Sequence, residues 1–396
     1  MKLGLLLGVF FSYGLVVKAD TFTHTQTGKV YHGYATRTEN NGKTAVQTQQ
    51  EGLIELNLAE YTITPDRQGR NNIISVLAVK DVIQYELETS AFEKALIEES
   101  NKGPLFILIE IDSPGGRIDL ARRMCSAIAN TRNCQTIAFI YGGPVGGAYS
   151  AAAAVALACN KIYMVPTASI GAATAVAGTL DGHTVDIKEA LGETVGEKVG
   201  SVWRNTLAAL AQQNGRSALL AKAMEDRDIE VWEVTRNQKT LFIEAHEKLP
   251  SDKVVRIRCK KGELLTLPAE DAAVCIMADG VVQSRDELLK QLDAVAAQQA
   301  VNPTLDAAKD EAEKVIARFN KLNSALDLKY KELSAKIESG SCTRSQAVKD
   351  LQAMIKNAEY LLKLKQTYDD VPVPQEAIEQ LLNNIKASYQ GIKAMR

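Results

Sequence analysis

Residues 105–116 read LFILIEIDSPGG, and this stretch decides the class of fold. Its first seven residues form a nearly continuous apolar run of strand length, which is typical of parallel strands buried on both faces. The DSPGG turn then leads into a helical pattern. The same alternation continues on either side, with strands predicted at 73–80, 136–141 and 162–165 and helices at 86–99, 118–130 and 150–158. It predicts a parallel sheet with right-handed crossovers.

The length, composition and charge of the chain, and the motifs it lacks, argue against several classes of partner and cofactor. The chain has 396 residues, which suggests about two to three domains. Its 46% apolar and 24% charged residues are ordinary for a globular protein. A formal net charge of −2 gives no reason to expect nucleic acid or an anionic membrane surface as a partner. No phosphate-binding loop or zinc-ligand spacing is present, so we expect neither a nucleotide nor a metal cofactor.

The N-terminus has the pattern of a signal peptide. Lys2 precedes a short apolar segment, and Val17 and Ala19 are small residues placed for cleavage before Asp20. The alternative is an uncleaved anchor helix, for which the apolar stretch is short. We therefore expect an exported protein, periplasmic or extracellular once residues 1–19 are removed. Such a compartment permits disulfides, and we predict one between Cys134 and Cys159, at the end of the sheet far from the glycine-rich loops.

Composition divides the rest of the chain into three parts. Residues 20–71 are polar and predict an irregular or β-type extension, residues 72–299 form the α/β domain, and residues 300–396 form a helical arm. Apolar residues in the arm recur every three or four positions, at Leu305, Ala308, Ala312, Val315, Phe319, Leu322, Leu326, Tyr330, Leu333 and Ile337. This seam predicts a coiled coil or a helical hairpin that folds back on a helix capped by Thr343. We expect the arm to mediate self-association or substrate gating.

Two glycine-rich motifs are candidates for chemistry. The first is the DSPGG turn, where Gly115 and Gly116 allow backbone N–H groups to face a cleft and form an oxyanion hole. The second is the GGAYSAAAA segment, residues 146–154, where Ser150 opens an alanine-rich helix. A serine there suits a nucleophile, because the helix dipole and the N–H of Ala151 stabilise an oxyanion. A plain turn and an ordinary N-cap serine explain the two motifs equally well.

Taken together, residues 105–176 resemble the S49-type serine peptidases of the Clp/crotonase fold, which include signal peptide peptidase A and NfeD-type proteases. The matching segments are the DSPGG turn, Ser150 at a helix start, ACNKIY (158–163), PTASIG (166–171), and further on GELLTL (262–267) and ADGVV (278–282). The resemblance covers about 220 residues. It implies a Clp/crotonase-like parallel sheet with crossover helices. Tyr149 stands where many relatives carry a small residue, a departure that concerns the shape of the pocket.

The resemblance also implies a lysine as general base. In NfeD-type members it precedes a helix that ends in a Gln-x-x-Gly-Arg pattern. Lys198 opens such a segment here, and QQNGR (212–216) closes it. Such a lysine must be neutral, and burial in the cleft together with the nearby helix N-terminus would favour that form. Lys188 and Lys222 are the competing lysines, and His183 is the rival base for a histidine-dependent mechanism.

The sequence therefore predicts a serine endopeptidase outside the cytoplasm with a Ser150/Lys198 dyad. The N–H groups of Gly115 or Gly116 and of Ala151 hold the oxyanion. Substrates are proteins or peptides, and a membrane protein is a further candidate for substrate or partner. One alternative is a catalytically silent scaffold of the same fold that assembles, or binds partners, through its C-terminal helices. The other is an acyl-CoA enzyme of the crotonase type, which export from the cytoplasm disfavours.

Overall fold

The computed structural model describes residues 20–38, 43–48, 51–64, 73–178, 184–292, 294–295 and 297–394. The predicted signal peptide, residues 1–19, lies outside these ranges. Within them the protein is a mixed α/β structure with a parallel sheet, preceded by a small antiparallel sheet and followed by long helices. None of the described helices combines the length and the apolar character needed to cross a bilayer.

The first sheet is built from residues 20–64. Its strands are β1 (Asp20–His24), β2 (Val30–Thr38), β3 (Thr44–Thr48), β4 (Gly52–Leu56) and β5 (Tyr61–Thr64), with a short 3₁₀ turn at Leu58–Glu60. They pair in the order β4-β3-β2-β1-β5, and all four pairings are antiparallel. Phe22, Tyr31, Val46 and Leu56 form a separate small core. This region, predicted as irregular or β-type, is a β-sheet in its described parts.

The central domain begins as the alternating pattern predicts. Its first elements are β6 (Ile73–Ile83), α1 (Glu86–Asn101), β7 (Phe106–Gly116), α2 (Ile118–Asn130), β8 (Gln135–Ile140), β9 (Gly147–Tyr149), α3 (Ala151–Ala158), β10 (Lys161–Met164) and β11 (Ser169–Gly171). Strands β6, β7, β8 and β10 lie side by side and parallel. The end of β7 also pairs with β9, and β9 pairs with β11. The apolar run of β7 is fully buried because strands cover both its edges and helices its faces.

The second half of the domain adds smaller elements around this sheet. They are β12 (Val176–Gly178), β13 (Thr184–Asp186), α4 (Ile187–Leu191), α5 (Glu193–Gln213), α6 (Ala218–Ala223), β14 (Val231–Arg236), β15 (Lys239–Glu244), a 3₁₀ turn (Ala245–Glu247), β16 (Lys253–Cys259), β17 (Thr266–Pro268), α7 (Ala269–Val274), β18 (Gly280–Val281), α8 (Arg285–Gln291) and β19 (Gln298–Val301). Strands β14 to β16 form their own antiparallel sheet. Strand β19 pairs with β6, so the predicted boundary after residue 299 falls inside a strand of the main sheet.

The helical arm consists of α9 (Thr304–Glu338), α10 (Arg344–Thr367) and α11 (Gln375–Ala394), here called the C-terminal bundle. The predicted seam of α9 is buried or partly buried in the bundle from Val315 to Ile337, whereas Leu305 packs in the core of the central domain. Thr343 caps α10 as predicted, because its hydroxyl accepts the N–H of Gln346 at 3.3 Å. Each apolar stripe thus finds a partner within the same chain.

The predicted Cys134–Cys159 disulfide is wrong, since all six cysteines carry thiols. Cys159 ends α3, and its Sγ donates back to the carbonyl of Val155 at 3.4 Å, which turns the sulfur into its own helix. Burial raises the pKa of the Cys159 thiol to about 12. A thiol buried in this way is a small packed hydrophobe rather than a reactive group.

A buried carboxylate ties the start of the bundle to the main sheet. Glu99 at the end of α1 is 3% exposed and accepts hydrogen bonds from Ser75 (2.8 Å), Lys102 (2.8 Å) and Asn302 (2.7 Å). Burial alone would raise its pKa, but these three donors outweigh that effect and hold the pKa of Glu99 below its usual value. Because Asn302 directly follows β19, the bundle leaves the sheet at a defined point.

A second carboxylate at this junction makes stability depend on pH. Burial, followed by Asp306, Asp81 and Asp370, raises the pKa of Glu88 from 4.5 to about 7, although Lys309 opposes the rise. The folded protein therefore binds this proton more tightly than the unfolded chain. The free energy of unfolding should fall as pH rises from about 4.5 to about 7. Glu88→Gln should remove this decline and stabilise the protein at pH 8 by about 2 kcal/mol.

Urea unfolding at pH 4.5 and pH 8 measures this effect. The matched control is Glu98→Gln on the same helix, because the Glu98 side chain is 55% exposed and forms a surface ion pair with Lys94. We expect the control to follow the parent protein at both pH values. Equal stability of Glu88→Gln and the parent at pH 8 would show that folding does not raise the pKa of Glu88.

Candidate active site

Ser150 stands between β9 and α3 in an unusual backbone conformation. Its φ is +53° and its ψ −125°, and its N–H donates to the carbonyl of Gly171 at 3.0 Å. Non-glycine residues with positive φ are strained, and they persist where surrounding structure imposes the conformation. The Ser150 side chain makes no capping hydrogen bond to α3. It is therefore not an ordinary N-cap serine, and its hydroxyl remains available at the start of the helix.

A buried carboxylate shapes the glycine-rich loop that leads to Ser150. Asp112 is 3% exposed and accepts the backbone N–H groups of Val145 (3.1 Å), Gly146 (2.9 Å) and Gly147 (3.2 Å). Three N–H groups directed at one carboxylate form a compact anion-binding nest. The first residue of the DSPGG turn thus holds the loop of the second motif, so the two motifs form one unit.

The DSPGG turn brings Gly115 against the candidate nucleophile. A Cβ at Gly115 would lie 2.5 Å from the Cβ of Ser150 and 2.7 Å from the backbone N of Ala151, so only glycine fits. Its φ of +95° is also one that side chains rarely adopt. Gly115, Ser150 and Ala151 are therefore in direct proximity, as the sequence predicts. The N–H of Gly115 itself donates to Ser113 Oγ at 3.1 Å.

Gly116, the next residue of the turn, approaches the end of β6 closely. A Cβ there would lie 2.1 Å from the carbonyl oxygen of Ile83 in β6. The next residue, Arg117, donates its N–H to that carbonyl at 2.8 Å. Gly116 therefore packs directly against the end of β6, and no side chain fits at this position.

Replacing Gly115 by alanine should block the site without unfolding the domain. The added methyl group would overlap the Ser150 side chain, so we expect labelling of Ser150 by a fluorophosphonate to slow by about 100-fold or more. The matched control is Gly262→Ala, because Gly262 has a similar φ of +92° but open space around it. It carries the same backbone strain without the contact. Similar labelling rates in both variants would show that Gly115 has no steric part in the site.

The expected burial of Lys198 beside Ser150 is not found. Lys198 lies on α5 with an exposed side chain. The buried face of this helix carries Gly196, Gly200, Trp203 and Leu207, which recur every three or four residues. Lys198 lies two residues from both glycines, which places it on the opposite side of the helix. It makes no hydrogen bond or ion pair with any described residue.

The competing bases have different surroundings. Lys188 is bound to Glu197 (2.8 Å) and Glu193 (3.5 Å), and the hydrogen bond to Glu197 raises the pKa of Lys188. A lysine held in its charged form is a poor base. His183 lies outside the described residues. His246 is 74% exposed and contacts Glu244, beside the sheet of β14 to β16. Lys222 is partly buried on α6.

The closing QQNGR pattern has a structural role that the sequence did not reveal. Asn214 donates to the carbonyls of Leu157 and Ala158, and the Arg216 guanidinium donates to those of Leu157, Cys159 and Asn160. These carbonyls end α3, the helix that begins after Ser150. Arg216 also pairs with Asp279 at 3.0 Å, and its side chain is fully buried. A cation at this end complements the helix dipole. The only sequence signal was an arginine placed after a glycine.

A tryptophan anchors the candidate base helix near the nucleophile. Trp203 is 1% exposed, and its Nε1 donates to the carbonyl of Ala173 at 2.8 Å. Ala173 is two residues beyond Gly171, whose carbonyl accepts the N–H of Ser150. Trp203 lies five residues after Lys198 in the same helix. Its contact therefore sets the position of α5 relative to Ser150, although the sequence alone gave Trp203 no role.

The chain is similar to known proteins over part of its length. The chain is 28% identical over 231 residues to "Membrane protein NfeD1b" of Bacillus subtilis (strain 168), covering 58% of this chain and 44% of that protein. It is 27% identical over 160 residues to "Membrane-bound protease PH1510" of Pyrococcus horikoshii, covering 40% and 34%. A solved serine-to-alanine mutant of 1510-N, a membrane-bound stomatin-specific protease, is 20% identical with a TM-score of 0.44, covering 59% of this chain and 98% of that chain.

The similarity is confined to part of each protein. The chain spans less than half the length of both curated relatives it matches. Residues 73–250 of the chain contain the DSPGG turn, Ser150 and α5. Residues 73–250 of this chain match the family model described as NfeD1b, N-terminal domain, and it is to this domain that the α/β part of the chain is similar.

Proposed function

We propose that the protein is a serine endopeptidase of the Clp/crotonase fold in which Ser150 is the nucleophile. The observation that carries the proposal is the contact of Gly115 with Ser150 and Ala151, at the start of a helix that Ser150 does not cap. The backbone N–H groups of Gly116 and Ala151 are the two donors for the oxyanion. A relative named as a membrane-bound protease supports the reaction type.

The chemistry follows from these groups. The hydroxyl oxygen of Ser150 attacks the scissile carbonyl carbon while its proton passes to the neutral amine of Lys198. The carbonyl oxygen becomes an oxyanion, which the two N–H groups stabilise more strongly than they stabilise the ground state. Lys198 then gives the proton to the leaving amine, and the peptide bond breaks. Water hydrolyses the resulting acyl-enzyme and restores Ser150.

In this proposal, the amine of Lys198 comes within reach of Ser150 only when substrate is bound. Val195 and Val202 share its helix face and are 50% and 53% exposed, and the neighbouring Val199 is 37% exposed. A bound peptide with apolar side chains would cover these valines and remove water from the lysine between them. Loss of water disfavours the ammonium and therefore favours the neutral base. Contacts between catalytic groups are often long without substrate and tighten when it binds.

A catalytically silent scaffold is the second candidate. One observation favours it: the exposed Lys198 has no contact with Ser150 among the described residues. The C-terminal bundle would then carry the function by binding partners or a second copy of the chain. The strained conformation of Ser150 and the exclusion of any Cβ at Gly115 favour the enzyme, because a scaffold requires neither.

The proposed enzyme acts on protein or peptide substrates outside the cytoplasm. Export rests on the signal-peptide pattern of residues 1–19. A membrane protein is included as a candidate class of substrate or partner, and both curated relatives are themselves named as membrane proteins. The proposal also includes self-association into an oligomer through the bundle. It requires no metal or nucleotide, because Ser150, Lys198 and backbone N–H groups supply every step.

Labelling by a fluorophosphonate tests the proposal. The full chain should be labelled on Ser150, as shown by mass spectrometry of the modified peptide, and Ser150→Ala should not react. The matched control is Ser217→Ala, because Ser217 does cap its helix by accepting the N–H of Leu220. That variant should react like the parent. Absence of labelling in the parent protein, or equal labelling of Ser150→Ala, would favour the scaffold.

A further inference from the structure

The DSPGG turn is fastened to a segment that joins β6 to α1, residues 81–87, here called the bridging segment. Ser113 Oγ donates to the backbone carbonyl of Asp81 at 2.5 Å and accepts the N–H of Gly115 at 3.1 Å. Asp81 interrupts the regular pairing of β6 with β7, since the register shifts between Lys80 and Val82. The position of Gly115 therefore depends on the conformation of Asp81.

That conformation is strained and is held from outside the domain. Asp81 has a φ of +57°, which is uncommon for a residue other than glycine. Its side-chain carboxylate accepts a hydrogen bond from Nζ of Lys309 in α9, at 2.5 Å. Lys309 thus connects the C-terminal bundle to the first end of the bridging segment. Strain of this kind persists only where neighbouring groups impose it.

The bundle also holds the second end of the bridging segment. Helix α1 has no side-chain cap of its own at Tyr85. Asp370, in the loop between α10 and α11, instead accepts the N–H groups of Glu86 (2.5 Å) and Leu87 (3.0 Å). A carboxylate on two N–H groups at a helix start is a strong cap. The Glu86 carboxylate in turn accepts from the guanidinium of Arg117, at 3.0 Å, directly after the DSPGG turn.

We propose that Lys309 and Asp370 are positioning residues, through which the C-terminal bundle holds the DSPGG turn in place against Ser150. Both contacts connect to the turn in two steps, one through Asp81 and Ser113 and the other through Glu86 and Arg117. The inference rests on the proposed function, since the turn supplies an N–H group to the oxyanion. It gives the bundle a role in the catalytic step that is separate from self-association.

Two measurements on the full chain test this role. Hydrogen exchange of peptides that cover residues 84–92 and 110–117 reports the order of the segment and the turn without any activity. The rate of fluorophosphonate labelling of Ser150, and kcat and KM for a peptide substrate, report the site. The variants are Lys309→Met, Asp370→Ala and the pair together, with Asp370→Asn as a milder change. Lys309→Arg tests rescue by a conserved charge.

The matched control is Lys386→Met, because Lys386 forms an exposed ion pair with Glu359 inside the same bundle, at 3.0 Å. We expect the double variant to exchange at least five-fold faster in both peptides and to label about ten-fold more slowly. Its kcat should fall while KM changes less than two-fold. Lys309→Arg and Lys386→Met should match the parent in every measurement.

Several outcomes would overturn the proposal. Unchanged exchange in the double variant would show that the bundle does not hold the turn. Faster exchange with an unchanged labelling rate would show that the bundle orders the DSPGG turn but does not affect the reactivity of Ser150. If the double variant does not fold, the same criteria apply to Asp370→Asn. A parent protein that is not labelled at all contradicts the proposed function instead, and the exchange measurements then still decide whether the bundle orders the turn.

Discussion

Lys198→Ala is expected to lower kcat/KM by about 10³-fold or more, nearly as far as Ser150→Ala. A serine hydroxyl is a weak nucleophile unless a base lies within hydrogen-bond reach when substrate is bound. Residues that act as one unit lose function together, so the Lys198→Ala/Ser150→Ala double variant should be no slower than either single variant. Because Lys198 is exposed and unpaired among the described residues, its removal should change the free energy of unfolding by less than about 0.5 kcal/mol.

Steady-state kinetics on a peptide that the parent cleaves measure kcat/KM, and urea unfolding measures the free energy of unfolding. Lys188→Ala and Lys222→Ala are the control variants, since they remove the two competing lysines. Both should retain turnover within a few-fold of the parent. Turnover by Lys198→Ala close to that of the parent, combined with an inactive His183→Ala, would assign the base to His183 and contradict the Ser/Lys mechanism.

Arg216→Ala is expected to destabilise the domain by about 3–5 kcal/mol. The guanidinium is fully buried and pairs with Asp279, so its loss removes the counter-ion of that carboxylate. It also removes the hydrogen bonds of Arg216 to the carbonyls of Cys159 and Asn160 after α3. Removing one partner of a buried pair costs far more than removing both. The Arg216→Met/Asp279→Asn double variant should therefore recover part of the lost stability.

Thermal and urea unfolding of the full chain measure this difference. The control is Arg256→Ala, because Arg256 also pairs with an aspartate, Asp271, at 2.8 Å, but is 55% exposed. An exposed pair contributes at most about 1 kcal/mol. A loss below 1 kcal/mol for Arg216→Ala, equal to that of the control, would contradict the role of Arg216 as the anchor of α3.

Sequence patterns predicted four strands of the central sheet, β6, β7, β8 and β10, but not its other five strands, β9, β11, β17, β18 and β19. The strand predicted at 73–80 lies within β6, and the apolar run of 105–111 overlaps the first part of β7. These predictions succeed because a strand buried on both faces must be apolar along its whole length. The prediction of the apolar seam of α9 succeeds for a related reason, because an apolar helix face must be covered by another element. Both are local properties of the chain.

Two predictions that depend on contacts between distant parts of the chain do not agree with the structure. The disulfide was placed from the order of elements, but sulfur direction is set by the local helix, and Cys159 points back towards Val155. The expected burial of Lys198 is not found, because the side of α5 that packs on the domain is set by tertiary contacts and Lys198 lies on the other side. Trp203 and the small glycines of α5 take that side.

By itself the sequence determined the parallel sheet and the helical arm, because hydrophobic period and turn residues act over a few positions. That the two glycine-rich motifs form one site was an expectation from the family resemblance. Only the tertiary structure decided that Asp112 braces the loop before Ser150, that Arg216 ends α3, and that Asp370 caps α1 from 283 residues away. Each of these contacts joins a charged side chain to backbone groups far along the chain. Such a pairing leaves no periodic trace in the sequence, so it becomes visible only once the chain is folded.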